Sequence, residues 1–221
     1  MKVLVISVHP DDETLGCGGT ILKHKKQNDE LYWIILTQAS EQLGYTKEFV
    51  STRASQIKDV SKEYKFVKTY NLKFPAAHLH TVDLNEIITE VTSVIAQIKP
   101  EIIYTVNRSD IHSDHRHAAK AIMSSTKSFR HPYIKRILMY ECLSETEIAS
   151  PLPENIFLPN VYSDISNFLE QKIEIMKIYH SEVQAPPLPR SLDNIRALAQ
   201  YRGSAVAVKY AESFMLLKDV F

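Results

Sequence analysis

Cysteine is almost missing from this chain: Cys17 and Cys142 are the only two thiols in 221 residues. Two distant thiols cannot build a disulfide framework or a cysteine-ligated zinc site, and their scarcity fits a reducing, cytoplasmic setting. An excess of charge is missing too, with 26 Lys plus Arg against 26 Asp plus Glu. This balance argues against a nucleic-acid partner, because phosphate neutralisation needs a basic surplus. The nearest basic run, Lys23-His24-Lys25-Lys26, is followed by Asp29 and Glu30 and reads as a solvated helix face. No stretch approaches the ~20 apolar residues of a membrane span. The apolar opening at residues 3–8 ends in His9-Pro10-Asp11-Asp12-Glu13 with no small-residue cleavage pattern, so it reads as a buried strand rather than a signal peptide. Nor is there a Gly-x-x-x-x-Gly-Lys-Ser/Thr or Gly-x-Gly-x-x-Gly pattern; Gly16-Cys17-Gly18-Gly19 reads as close packing of a helix start.

What remains is an ordinary globular composition, 44% hydrophobic, over a length that fits one domain spanning residues 1–221. The order of elements is strand (3–8), helix (20–28), strand (31–37), helix (47–64), strand (66–70), helix (84–98), strand (102–106) and helix (114–127). Such alternation predicts an α/β fold, a Rossmann-like doubly wound, mostly parallel sheet with helices on both faces. From about residue 142 the pattern is less regular. Short strands are expected at 137–140 and 161–163, and helices at 168–179 and 191–217, separated by Pro186-Pro187-Leu188-Pro189. The last helix has apolar positions to bury, which leaves room for a homo-oligomer.

Histidine is the unusual abundance, with nine residues. His9 opens the acidic run Asp11-Asp12-Glu13 directly after the first strand, and His112-Ser113-Asp114-His115 follows the strand at 102–106. In open α/β sheets ligands bind beyond the carboxyl ends of strands, so these two loops are expected at one rim. Imidazoles and carboxylates together form the ligand set of a catalytic zinc site. Of adjacent Asp11 and Asp12, one can bind metal while the other serves as general base. His112 and His115 can share a metal or split the roles of ligand and oxyanion stabiliser, and Asp114 can orient one of the imidazoles. His117 turns away from His115, and His24, His78, His80, His131 and His180 read as background.

The His9–Glu13 motif, Gly18-Gly19 and the His112–His115 motif, with Pro159-Asn160-Val161-Tyr162-Ser163-Asp164-Ile165, Arg202-Gly203 and Tyr210-Ala211-Glu212-Ser213-Phe214 later on, resemble the LmbE-like, or PIG-L, family of zinc-dependent N-deacetylases. The resemblance implies His9, Asp12 and His115 as ligands of one Zn2+ per chain, with Fe2+ suited to the same donors. It also implies Asp11 as base, His112 as oxyanion stabiliser, Asp114 tuning His112, and Arg53 in substrate binding. The implied reaction is removal of acetyl from a small N-acetylglucosamine-type conjugate. A metal-dependent esterase or other amidase, and a non-catalytic sugar or nucleotide binder, are the alternatives. Three positions depart from the family pattern: Gln56 stands where an acid is usual, Ser40-Glu41 replaces Gly-Glu, and Leu188-Pro189-Arg190-Ser191 replaces His-Pro-Arg-Ser.

Overall fold

The computed structural model describes residues 1–221. Strands β1 (Lys2–Ser7), β2 (Glu30–Gln38), β3 (Lys68–Pro75), β4 (Ile102–Val106), β5 (Arg136–Tyr140), β6 (Val161–Asp164) and β7 (Ala211–Asp219) form one sheet in the order β3-β2-β1-β4-β5-β7-β6. The first five are parallel, and β7 runs antiparallel to both its neighbours. The helices are α1 (Asp12–Lys26), α2 (Lys47–Tyr64), α3 (Leu84–Ile98), α4 (Ser113–Ser125), α5 (Leu169–Ile178) and α6 (Leu192–Ser204). α1 packs against α2 and α5, while α3 packs against α4. The expected doubly wound α/β architecture is therefore present.

Central position explains the composition of β1. It lies between β2 and β4, and Val3, Leu4, Val5 and Ile6 are fully buried, as a strand covered on both faces requires. Strand order reverses here: β2 and β3 build outward on one side of β1, then α3 carries the chain back to place β4 on the other. The crevice beyond the carboxyl ends of β1 and β4 is thus the ligand-binding position of such sheets. No helix is long and apolar enough to cross a membrane.

Three sequence expectations need correction. First, α1 starts at Asp12 rather than at residue 20, so Gly16, Gly18 and Gly19 lie inside it. A Cβ on Gly16 would fall 2.1 Å from the Tyr140 ring, and one on Gly19 2.7 Å from Ile165. The glycines let the helix approach the sheet and its cover. Cys17, at φ −143°, interrupts the helix, and the amides of Gly19 and Thr20 donate to the buried Glu212 carboxylate at 2.8 and 2.7 Å. Lys172 Nζ bonds that same carboxylate at 2.7 Å and the Leu15 carbonyl at 2.8 Å, so the kinked backbone keeps its partners.

Second, β3 covers Lys68–Pro75 rather than 66–70, because pairing with β2 continues past an irregularity to Gln38 and Pro75. Third, the long C-terminal helix is two elements. α6 ends at Ser204, the chain folds back tightly over Gly203, and β7 inserts between β5 and β6. The apolar residues of β7 suit either helix or strand, and two waiting sheet edges decide the outcome. Ile195 and Ala199 of α6 pack into the chain's own core.

Candidate active site

After β1 the chain turns sharply to enter α1. Asp11 adopts φ 134°, a region that side chains other than glycine rarely occupy. Its amide donates to Glu13 Oε2 at 3.1 Å, and its carbonyl accepts from Thr14 and Leu15 at 3.0 and 2.8 Å. Those bonds offset the strain. Glu13 is fully buried and also accepts from the hydroxyls of Thr14 and Tyr179. Burial pushes its carboxyl up to about 7. Asp12 turns the other way: its Oδ2 accepts from the amides of Val8 and His9, both at 2.9 Å.

After β4 the second loop reaches the same rim. His112 caps α4, its Nδ1 accepting the amide of Asp114 at 3.1 Å, so a neutral ring carries its proton on Nε2. His115 Nδ1 lies 2.9 Å from Asp110 Oδ2. Its Nε2 lies 3.3 Å from His9 Nδ1 and 3.4 Å from Asp12 Oδ2. His9 Nε2 in turn lies 3.2 Å from Asp114 Oδ2. The Asp114 carboxylate also takes the amides of Ala77 and Leu79, at 2.7 and 3.0 Å. It therefore contacts His9 directly, while His112 accepts its backbone amide and feels its charge, which acts to raise that imidazole.

With a carboxylate on each far nitrogen, His9 Nδ1 and His115 Nε2 face each other beside an oxygen of Asp12. Ligand atoms of His9, Asp12 and His115 all lie within 4.8 Å of one another. Three acceptors so close require a proton or a cation between them, and two imidazoles plus a carboxylate are a donor set that suits zinc or ferrous iron. His9, His112 and Asp114 form a second such trio, but the Asp114 oxygens are already occupied by two amides.

The electrostatics separate the two aspartates. Burial alone would raise Asp12, yet His115 and His9 beside it hold its carboxyl below the ordinary range. Burial, and then the neighbouring Asp12 charge, push Asp11 well up. Burial and the adjacent His9 and His115 rings lower His112 to about 4, so it is a neutral hydrogen-bond donor near pH 7.

A cavity of about 480 Å³ opens over this cluster, with His9, Asp11, Asp12, His112 and Arg53 in its lining. Arg53, on α2, donates to the Pro10 carbonyl at 2.9 Å and pairs with Glu182. Arg190 Nη1 contacts Asp11 Oδ2 at 3.2 Å and Glu182 Oε2 at 2.8 Å. Sequence reasoning did not single out Glu182 or Asp110, and it met Arg190 only as part of a departing motif. Asp110 had a local signal, being an acid in the loop that carries His112. Cys142 lines the cavity with Sγ 3.5 Å from Asp12 Oδ1. His117 bonds the carbonyl of Ser113 in its own helix, away from the cluster.

Comparison with known proteins adds four findings. A profile of the GlcNAc-PI de-N-acetylase family, PIG-L, matches residues 4–126. The diacetylchitobiose deacetylase of Thermococcus kodakarensis is 25% identical over 231 residues, which cover 100% of this chain and 84% of that relative. Among solved structures, a conserved protein from Thermus thermophilus aligns over 99% of this chain and 96% of its own, with TM-score 0.77 and 24% identity. The 4-carboxy-2-hydroxymuconate hydratase of Pseudomonas putida aligns over 100% and 97%, with TM-score 0.76 and 14% identity. One fold thus carries different reactions, and the residues of the rim must choose between them.

Proposed function

The chain belongs to the PIG-L family, and on that premise we propose that it hydrolyses the acetamide of an N-acetylglucosamine-type conjugate, releasing acetate and a free amine. The observation that carries the reading is the convergence of His9 Nδ1, His115 Nε2 and Asp12 Oδ2, with the two ring nitrogens 3.3 Å apart and the carboxylate oxygen 3.4 Å from His115 Nε2. We assign these three residues as the ligands of one zinc ion per chain. A divalent ion there would polarise the acetyl carbonyl and acidify a water molecule.

The chain's own groups then do the proton work. Asp11 accepts a proton from the attacking water as its oxygen bonds to the acetyl carbon, and passes that proton to the sugar nitrogen as the C–N bond breaks. A base beside a ligand on the adjacent residue is possible because the strained turn sends the two carboxylates apart. His112 donates Nε2–H to the carbonyl oxygen as it gains negative charge. Arg53 braces the turn through the Pro10 carbonyl and borders the cavity that receives the sugar. Both thiols are buried and free, which supports a cytoplasmic setting. Because β7 completes the sheet beside β5, we treat residues 1–221 as one catalytic unit.

The test is amine release from N-acetylglucosamine and its conjugates by protein stripped with a chelator, then reloaded with zinc or ferrous iron. Activity is expected only after reloading, with one metal per chain by elemental analysis. Hydrolysis by fully stripped protein would overturn the metal assignment, and the metal that restores the higher rate distinguishes zinc from iron.

A further inference from the structure

Between α5 and α6 the chain runs past the Asp11 turn as a strap, residues 179–191. The strap is closed on itself. The Gln184 amide donates to the Arg190 carbonyl at 3.2 Å, the Arg190 amide donates to Gln184 Oε1 at 3.3 Å, and the Glu182 amide donates to the Tyr179 carbonyl at 2.8 Å. This folding sets Glu182 and Arg190 side by side, and Arg53 reaches the same carboxylate from α2.

One carboxylate thereby acts on two consecutive residues of the strained turn. Glu182 Oε1 accepts from Arg53 Nη2, and Nη1 of that guanidinium holds the Pro10 carbonyl at 2.9 Å. Glu182 Oε2 accepts from Arg190 Nη1 at 2.8 Å, and the same nitrogen reaches Asp11 Oδ2 at 3.2 Å. The side chains of Arg53, Glu182 and Arg190 are only 11%, 18% and 24% exposed, so water screens these charges poorly.

A guanidinium beside a carboxylate commonly turns two N–H groups onto its two oxygens. Arg190 does otherwise. It meets Asp11 through one nitrogen and one oxygen, that nitrogen lies nearer to Glu182 than to Asp11, and its buried Nε has no partner. A forked grip would also occupy Asp11 Oδ1 and tie up the lone pairs that a base uses. Glu182 competes for the guanidinium and holds it back from that grip.

We propose that Glu182 is a positioning residue for the base: it limits Arg190 to a single contact with Asp11 and so keeps Asp11 Oδ1 open for proton transfer. The proposal rests on the reading of Asp11 as the base of the deacetylation.

Two measurements on zinc-loaded protein test it. With N-acetylglucosamine as the probe, Glu182→Ala should lower kcat for amine release by about 10- to 100-fold, with KM changed by less than about threefold and the metal content unchanged. Glu182→Gln, which keeps one acceptor for an arginine, should lose less. Arg190→Met added to the Glu182→Ala protein should recover at least about threefold in kcat, because it removes the cation that occupies the base; a merely structural loss is not repaired by a second deletion. Unchanged kcat in Glu182→Ala, a loss carried by KM, or no recovery in the double variant would overturn the positioning role. Crystal structures of the native and Glu182→Ala proteins read the clamp without substrate: Arg190 should touch Oδ2 alone in the first and both Asp11 oxygens in the second. A forked pair in the native protein, or a single contact that persists in the variant, overturns the proposal. If the native protein releases no amine, the deacetylase reading fails by itself, and the two crystal structures still decide the clamp.

Discussion

From β1 through α4 the chain supplies the groups assigned to the reaction, whereas from α5 to β7 it supplies groups that hold them. Lys172 and Glu212 stabilise the kink of α1, Tyr179 hydrogen-bonds Glu13 behind the strained turn, and Glu182 with Arg190 brackets Asp11. The two regions also differ in regularity. The first is a parallel run of strand and helix whose loops meet at the switch point, and the second is an antiparallel edge with a strap laid across that point. The contrast teaches that chemistry can be concentrated in one half of a fold only if the other half bears the cost of burying its charges.

Substitutions in each region should therefore fail in different ways. Asp11→Asn should lower amine release by about 10²–10⁴-fold while zinc stays bound, since it removes a proton acceptor and leaves the three assigned ligands in place. Steady-state rates with metal analysis on the same sample check this, and near-normal turnover would remove Asp11 as the base. Lys172→Ala should do the opposite. It strands the buried Glu212 charge and should cost about 3–5 kcal/mol of stability, read from the denaturant midpoint. The folded fraction should keep its kcat; if kcat collapses with stability intact, the division of labour is wrong. Asp110→Asn falls between these limits. It weakens the partner that fixes the His115 tautomer and should loosen metal binding by about 10–100-fold, measured by competition with a chelator.

The same contrast governs what the sequence disclosed. The parallel half was legible because each signal is local: α2 and α3 have the expected bounds, Lys47–Tyr64 and Leu84–Ile98, and the two His/Asp motifs directly follow strands. The start of α1 was hidden because a Gly-x-Gly-Gly string looks like a loop until the Tyr140 ring is placed against Gly16. β7 was hidden because its apolar residues fit a helix until the sheet offers two open edges. Within the site, His9, Asp12 and His115 are brought together as the motifs implied. The orientation of Asp114 towards His9 and the contact of Arg190 with Asp11 join positions distant in the chain. No periodicity or spacing encodes such pairs.

Asp114 binds three groups on two separate stretches with one side chain: two amides after β3, at Ala77 and Leu79, and the ring of His9 after β1. Solvent exchange at those two amides therefore reports on the setting of a ring to which they are joined through a shared carboxylate. Hydrogen–deuterium exchange at Ala77 and Leu79 would follow assembly of the rim in a protein with no substrate present, and would do so in variants too inactive to assay.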